Sequence, residues 1–261
     1  MRRIILNGKS YDIRLFVFDK DGLMFQSKPF WIALAQSRID AMTKEYPDIA
    51  KIFAEKWMQF VGAKCEWEDG TLKVKDMDPM GIFAVASVPE ETTAAAAFFA
   101  EHLNMNWIEA RKVAENIFDF SDAFFRLDQA LIPRKGFPDI LQRLNKAGIP
   151  YGIATSDTKE RVRQSLEIFD DYSKVKFVVT IEDVEKGKPS PDMLQWIQAF
   201  TQIPMENIAM VGDSLVDVQM AKYAGAIGIG IPEHEEMRNK MMGVADEIIE
   251  DLDCITIREG R

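Results

Sequence analysis

The chain has 261 residues, of which 47% are hydrophobic and 28% charged, a composition typical of a globular protein with one large core or a core and a smaller second domain. Its net charge of −10 at pH 7 argues against nucleic-acid binding, because phosphate backbones require a basic surface. Two cysteines are too few for a disulfide framework, and two histidines are too few for a histidine-rich zinc site. No run approaches the ~20 apolar residues that a membrane span needs. The sequence therefore predicts a cytoplasmic location.

The first informative element is an apolar run that ends in two acids. Leu15–Phe18 has the continuous apolar character of a strand buried on both faces of a parallel sheet, and Asp19, Asp21 and Gly22 follow it at once. Open α/β sheets bind ligands at the carboxyl ends of their strands, and two neighbouring carboxylates repel each other unless a cation or a shared proton lies between them. A hard cation such as Mg²⁺ suits these oxygen ligands, although an Asp-Gly turn is the simpler interpretation of this segment taken alone.

The stretch from residue 25 to residue 133 interrupts the strand pattern with amphipathic segments. Helices are predicted at 27–46, 47–62, 89–103 and 106–125, and a hairpin at Asp69-Gly70, a dipeptide typical of tight turns between strands. A segment of this size does not fit inside a sheet, so we expect a separate unit. The predicted organisation is a core of residues 1–24 and 134–261, with a mainly α-helical domain of residues 25–133 inserted after the first strand.

From residue 150 onward, short apolar runs alternate with helical segments. The predicted strands are Pro150–Ala154, Lys176–Thr180, Ile208–Val211 and Ala226–Ile231, with a last short one at Asp246–Ile249. Such alternation predicts a parallel sheet covered by helices on both faces. We therefore expect an α/β protein with a three-layer α/β/α, Rossmann-like core.

Two of these strands are followed by polar residues that carry weak signals of their own. Thr155 follows the strand Pro150–Ala154, and Asp157 is a candidate helix cap. Hydroxyl side chains directly after a strand are usually helix caps. Lys188 lies in Gly-Lys-Pro after the next strand, where a lysine directed into a cleft would neutralise phosphate oxygens. A solvated loop lysine is the simpler alternative.

A third strand end carries two more acids. Asp213 directly follows Ile208–Val211, and Asp217 lies one helical turn later on the same helix face. Acids also suit the first turn of a helix through its dipole, so neither is diagnostic alone. Taken with the other strand ends, however, they bring carboxylates, a hydroxyl and a lysine to one edge of a sheet, which is the inventory that phosphoryl transfer requires.

At this point the sequence resembles the haloacid dehalogenase-like superfamily, whose members are mainly phosphatases with an aspartate nucleophile. The motifs VFDKDGLM, IATSD, GKP and GDSLVD, which begin at residues 17, 153, 187 and 212, occur in the family's order. The likeness covers about residues 10–24 and 134–250 and is greatest to the phosphoglycolate-phosphatase-like branch, which carries a helical cap where this chain has its insert. Leu23 departs from the pattern, since these phosphatases usually have Thr or Val there.

The resemblance implies a division of labour between the first two acids. Asp19 would attack phosphorus and form an aspartyl-phosphate. Asp21 would protonate the leaving oxygen and then activate water, while its backbone carbonyl binds Mg²⁺. Dehalogenases and phosphonatases of the superfamily lack an acid at the position of Asp21, so its presence favours phosphate-ester chemistry.

The remaining roles also follow from the resemblance. Asp213 would bind Mg²⁺ together with Asp19, and Asp217 would be a metal-associated acid. Thr155 would donate a hydrogen bond to the transferring phosphoryl group, and Lys188 would balance its charge.

The function predicted from the sequence is a Mg²⁺-dependent phosphatase that hydrolyses a small phosphorylated metabolite. A sugar-phosphate mutase of the β-phosphoglucomutase type, using the same core, is the alternative among enzymes. A non-catalytic protein that keeps the fold as a binding or regulatory module is a third hypothesis, although no motif residue is missing. The sequence leaves the substrate, the cap residues that select it and the oligomeric state open.

Overall fold

The computed structural model describes residues 3–169 and 172–258, so residues 1–2, 170–171 and 259–261 of the predicted core lie outside the described residues. The strands are β1 Arg3–Leu6, β2 Lys9–Tyr11, β3 Leu15–Phe18, β4 Ala63–Glu68, β5 Thr71–Met77, β6 Tyr151–Ala154, β7 Val178–Val179, β8 Ile208–Gly212, β9 Ile227–Gly230, β10 Glu247–Ile248 and β11 Thr256–Arg258. The α-helices are α1 Ser27–Glu45, α2 Pro47–Phe60, α3 Ile82–Val85, α4 Val88–Leu103, α5 Trp107–Phe124, α6 Leu127–Ala130, α7 Asp139–Ala147, α8 Lys159–Glu167, α9 Asp192–Thr201, α10 Leu215–Ala224 and α11 Glu235–Met241.

The chain forms two compact units. One runs to Gln26 and resumes at Pro133, and the other spans Ser27–Ile132. No helix among the described residues is both long enough and apolar enough to span a bilayer.

The first unit is built on a six-stranded parallel sheet in the order β10-β9-β8-β3-β6-β7. Every residue of β3 is buried, and Phe16 pairs with Tyr151 on one side and with Ala209 on the other. Continuous apolar runs suit such strands because both faces of a parallel sheet are covered. The predicted parallel α/β core is thus confirmed, and the carboxyl ends of β3, β6 and β8 meet at one edge of the sheet.

Helices α9 and α10 cover one face of this sheet. Leu15 and Val17 of β3 pack there against Met193 and Leu194 of α9 and Met220 of α10, all of them buried. Because side chains alternate along a strand, Phe16 and Phe18 point to the opposite face. The core therefore fixes β3 from both sides, and with it the residues that follow at position 19 onward.

A second, smaller sheet in the same unit was not predicted from the sequence. Strands β11, β1 and β2 form an antiparallel sheet in that order. A turn at Asn7 and Gly8, whose φ angles are 47° and 81°, connects β1 to β2. Asn-Gly is the preferred pair for this type of turn. Two expectations need correction: β3 is the third strand of the chain although the first of the large sheet, and the strand near residue 247 is followed by another.

Glu247 ties the small sheet to the large one. This carboxylate, 5% exposed, accepts hydrogen bonds from Asn7 Nδ2 at 2.8 Å, Lys9 Nζ at 2.7 Å and the Tyr11 hydroxyl at 2.5 Å. Buried carboxylates are stable only when they are paired in this way.

The second unit is mainly helical, as predicted, and contains the predicted hairpin. β4 and β5 pair antiparallel around Asp69 and Gly70, both with positive φ. The ring of Trp57 packs edge-on against Phe99 between the helices. Arg38 is fully buried there and binds the Asp122 carboxylate at 2.6 Å.

The chain segments on either side of this unit are joined to each other within the first unit. Phe25 forms a β-bridge with Pro133, and Arg134 N donates to the carbonyl oxygen of Met24 at 2.8 Å. The point of exit from the core and the point of return are therefore adjacent.

Candidate active site

Most of the predicted site residues lie at the carboxyl edge of the large sheet. Asp19 follows β3, and its backbone N–H donates to Val211 O of β8 at 2.9 Å. Thr155 follows β6, and its N–H donates to Val179 O at 3.0 Å. Ladder hydrogen bonds between neighbouring strands thus fix where each side chain leaves the sheet.

Asp19, Asp213 and Asp217 form an acidic cluster. One oxygen from each lies within 4.8 Å of the others. Lys188 Nζ lies 2.6 Å from Asp19 Oδ1 and 2.7 Å from Asp217 Oδ1, and its side chain is 4% exposed. The structure therefore brings together four residues from three segments that are far apart in the sequence.

The carboxylates of Asp213 and Asp217 differ in how they are satisfied. Asp217 Oδ2 accepts from the N–H of Ser214 at 3.1 Å and from its hydroxyl at 2.5 Å, as in a capping box at the start of α10. With Oδ1 held by Lys188, both oxygens of Asp217 are engaged. Asp213, in contrast, accepts no hydrogen bond from the described residues. Asp213 is thus the acid of the cluster with the most free lone pairs.

The electrostatics of the cluster suit a divalent cation. Three carboxylates and one ammonium leave two negative charges if all are ionised. Burial raises the pKa of Asp19 to about 7, opposed by Lys188 and reinforced by Asp217. Burial and the neighbouring acids, chiefly Asp19, raise the pKa of Asp213 well above its ordinary value. An oxygen-lined, doubly negative and partly unsatisfied cluster fits Mg²⁺.

Gly22 allows Asp213 to occupy this position. Gly22 has a φ of 81°, and a Cβ added to it would lie 2.1 Å from Asp213 Oδ2, so only glycine fits. The guanidinium of Arg134 donates to the carbonyl oxygen of Gly22 and, at 3.1 Å, to that of Ile231. The loops after β3 and β9 are thereby tied beside the cluster.

Asp21 belongs to a different group of charges. Its Oδ1 lies 2.5 Å from Lys20 Nζ, which also lies 2.9 Å from Asp157 Oδ2. The guanidinium of Arg161 in turn lies 3.0 Å from Asp157 Oδ1. The carboxylate of Asp21 therefore belongs to a chain of ion pairs separate from the acidic cluster.

The predicted role of Asp157 as a helix cap is wrong. The N-cap of α8 is Thr158, whose side chain accepts from Arg161 N. Asp157 instead accepts from Thr158 N at 2.8 Å and pairs with Lys20 and Arg161. Since burial alone would raise its pKa, the net lowering of the Asp157 pKa reflects these two cations.

Thr155 is buried next to this group. Its hydroxyl oxygen accepts from Asp157 N at 3.2 Å, so the hydroxyl hydrogen is available for a different acceptor. No hydrogen bond or ion pair among the described residues joins Thr155 or the Asp21 carboxylate to the acidic cluster.

Two residues that sequence reasoning did not single out make contacts in this region. They are Lys20 and Ser214. The capping pattern of Ser214 and Asp217, three residues apart, was a detectable signal. Lys20 shows no such signal, because its anchor, Asp157, is distant in the sequence.

The pKa shifts predict how the metal-free protein responds to pH. Unfolded Asp has a pKa near 3.9, so between about pH 4 and about pH 7 folded Asp19 holds a proton that the unfolded chain has lost. The free energy of unfolding of EDTA-treated protein should therefore fall as pH rises through this window, and Asp213 adds in the same direction. Mg²⁺ favours the ionised carboxylates, so the slope should flatten when it is added.

Urea unfolding at about pH 5, 6, 7 and 8, with EDTA or with Mg²⁺, measures this. The control is Asp19→Asn, which should show a shallower slope in EDTA than the unmodified protein. Equal slopes with and without Mg²⁺ would contradict a cation site in this cluster.

Comparison with known proteins gives independent support for the family. A family model described as a haloacid dehalogenase-like hydrolase matches residues 13–225. The chain is also 33% identical over 93 residues to pyrophosphatase PpaX of Anoxybacillus flavithermus, and 33% identical over 93 residues to phosphoglycolate phosphatase of Escherichia coli K12. Each match covers 36% of this chain, and 43% and 37% of those relatives. The aligned part of the chain thus spans less than half the length of the curated relatives.

A solved structure resembles the whole fold. A HAD-superfamily hydrolase of subfamily IA, variant 1, from Geobacter sulfurreducens superposes with a TM-score of 0.57 at 22% identity, over 93% of this chain and 94% of that chain. At this identity the likeness concerns the fold alone.

Proposed function

Since the chain belongs to the haloacid dehalogenase-like hydrolases, we propose that it is a Mg²⁺-dependent phosphatase acting on a small phosphorylated metabolite. The observation that carries the proposal is the cluster of buried Asp19 and Asp217 and half-buried Asp213, with Lys188 bound to two of the three acids. A nucleophilic carboxylate, a site for a hard cation and a fixed ammonium are what phosphoryl transfer needs in one place.

In the first half-reaction Asp19 is the nucleophile. A carboxylate oxygen of Asp19 attacks phosphorus, the bond from phosphorus to the leaving oxygen breaks, and Asp21 delivers a proton to that oxygen. The product alcohol leaves and the phosphoryl group stays on Asp19.

In the second half-reaction Asp21 acts as a base. It takes a proton from a water molecule, whose oxygen attacks the same phosphorus atom. The bond between Asp19 and phosphorus then breaks, which releases inorganic phosphate and leaves Asp19 as a carboxylate and Asp21 protonated for the next cycle. One carboxyl group thus serves as acid and then as base, so the cycle needs no further proton donor.

The surrounding residues balance charge on the phosphoryl oxygens. Lys188 supplies a fixed positive charge beside Asp19, and Thr155 has a hydroxyl hydrogen to donate. Asp19, Asp213 and the backbone carbonyl of Asp21 would hold Mg²⁺, which would supply further charge neutralisation when bound. Asp217, with both oxygens engaged, holds Lys188 in place and contributes charge to the metal site.

We further propose that residues 27–132 form the cap, which selects the substrate and excludes bulk solvent, so that water reaches phosphorus only in the second half-reaction. Along the chain, this unit begins at Ser27, shortly after the Asp19–Gly22 segment, which supports this role.

A release assay for inorganic phosphate tests the proposal. The full chain should hydrolyse p-nitrophenyl phosphate with Mg²⁺ and lose this activity in EDTA. Pyrophosphate and 2-phosphoglycolate, the substrates that the names of the relatives suggest, belong in the same screen together with sugar phosphates. Isomerisation of a sugar phosphate without release of phosphate would contradict a hydrolase and indicate a mutase, and no turnover of any ester would contradict both.

A further inference from the structure

Lys20 is the middle residue of the Asp-x-Asp segment, and its side chain is fully buried. A lysine is rarely buried unless its charge is paired. Here the ammonium lies 2.5 Å from Asp21 Oδ1 and 2.9 Å from Asp157 Oδ2. The proposed mechanism gives Lys20 no task, although it contacts the acid that the mechanism uses twice.

The ion pairs around Lys20 join two cations to two carboxylates. Lys20 lies between Asp21 and Asp157, and Arg161 pairs with Asp157 from the other side. The side chains of Asp157 and Arg161 are 5% and 12% exposed. Since Asp157 is held by Arg161 and by Thr158 N, it is a fixed anchor for the ammonium of Lys20.

This geometry distinguishes the two oxygens of Asp21. Oδ1 accepts from Lys20, whereas Oδ2 accepts no hydrogen bond from the described residues. A carboxylate held at one oxygen by a buried, anchored donor has a defined side-chain orientation, and a proton donor must be oriented to act efficiently.

We propose that Lys20, anchored by Asp157, is a positioning residue for proton transfer, which holds Oδ1 of Asp21 so that Oδ2 exchanges the proton with the leaving oxygen. The inference rests on the phosphatase function proposed above. It assigns the proton-transfer step to one atom and adds the pair of Lys20 and Asp157 to the residues on which that step depends.

Variation of the leaving group tests the role. Phenyl phosphate and p-nitrophenyl phosphate are similar in size, but phenolate is much the stronger base and needs the proton more. Lys20→Met, which keeps the volume and removes the ammonium, should lower kcat/KM roughly 30- to 100-fold for phenyl phosphate and about threefold for p-nitrophenyl phosphate. Because kcat/KM reports the steps up to loss of the leaving group, the ratio between the esters isolates the first proton transfer.

Arg163→Met is the control, since it removes a cation from helix α8 whose ion pairs with Glu160 and Glu167 lie outside the Lys20 group. Its effect should be equal for the two esters. If Lys20→Met does not fold, Lys20→Met combined with Asp157→Leu removes one charge of each sign and should show the same ester-dependent loss.

The outcomes separate the two proposals. If the wild-type enzyme is active and Lys20→Met, or the double variant, lowers kcat/KM for both esters by the same factor, the positioning role is overturned. The phosphatase function would then still stand. A wild-type protein that releases phosphate from neither ester would overturn the phosphatase, and with it the basis for the positioning role.

Discussion

Asp19→Asn is expected to lower kcat/KM for phosphate esters by at least ~10⁴-fold, because an amide oxygen does not form the covalent phosphoryl intermediate. The fold should persist, since Asn is close to Asp in shape and Lys188 keeps its contact with Asp217 at 2.7 Å. Release of phosphate from p-nitrophenyl phosphate measures the loss, and circular dichroism measures the fold. A chemical quench during turnover should trap phosphate on the wild-type protein and none on the variant.

The control for this variant is Asp128→Asn, which neutralises an exposed acid whose side chain pairs with Arg126. It should retain wild-type activity. Activity of Asp19→Asn near that of the control would show that Asp19 is not the nucleophile.

Lys188→Met is expected to impair stability as well as activity. It leaves Asp19 and Asp217 facing each other without their shared cation, at a place where the lysine side chain is only 4% exposed. Removing one partner of a buried ion pair costs roughly 3–5 kcal/mol of the free energy of unfolding. Loss of the fixed charge should also lower kcat by roughly 10²- to 10³-fold. Urea unfolding in EDTA and a steady-state assay in Mg²⁺ measure the two effects.

Mg²⁺ should restore part of the stability of Lys188→Met, because it supplies positive charge to the same carboxylates. Lys186→Met, which changes an exposed lysine two residues away, is the control and should leave both quantities unchanged. A Lys188→Met protein as stable as the control in EDTA would mean that Lys188 does not offset the charge of the cluster.

The large sheet could be predicted because each of its main strands is a continuous apolar run in the sequence. Leu15–Phe18 is apolar at every position, since both faces of the central strand are covered, and its observed bounds match the prediction. The contact of Asp19 and Lys188 could be anticipated for a related reason. The loops at the carboxyl ends of parallel strands meet at one edge of the sheet regardless of their separation along the chain, although β6 lies between β3 and β7, the strand that precedes Lys188.

Other features depended on contacts that no local pattern records. The burial of Lys20 follows from Asp157 and Arg161, which are more than a hundred residues away. The small sheet had a local signal in Asn7-Gly8, but its strands of three or four residues are too short to show a clear alternation of polar and apolar residues. Its attachment through Glu247 is likewise a long-range contact.

The bridge between Phe25 and Pro133 bears on how such an enzyme diversifies. Because both ends of the intervening segment are fastened to neighbouring backbone of the core unit, a segment of different length or sequence can be spliced between them without altering strand order or register in the large sheet. Evolution can therefore exchange residues 27–132 as a module while the residues at positions 19, 188 and 213 remain in place. With residues 27–132 as the proposed cap, recombination at these two adjacent points would change the substrate without rebuilding the catalytic residues.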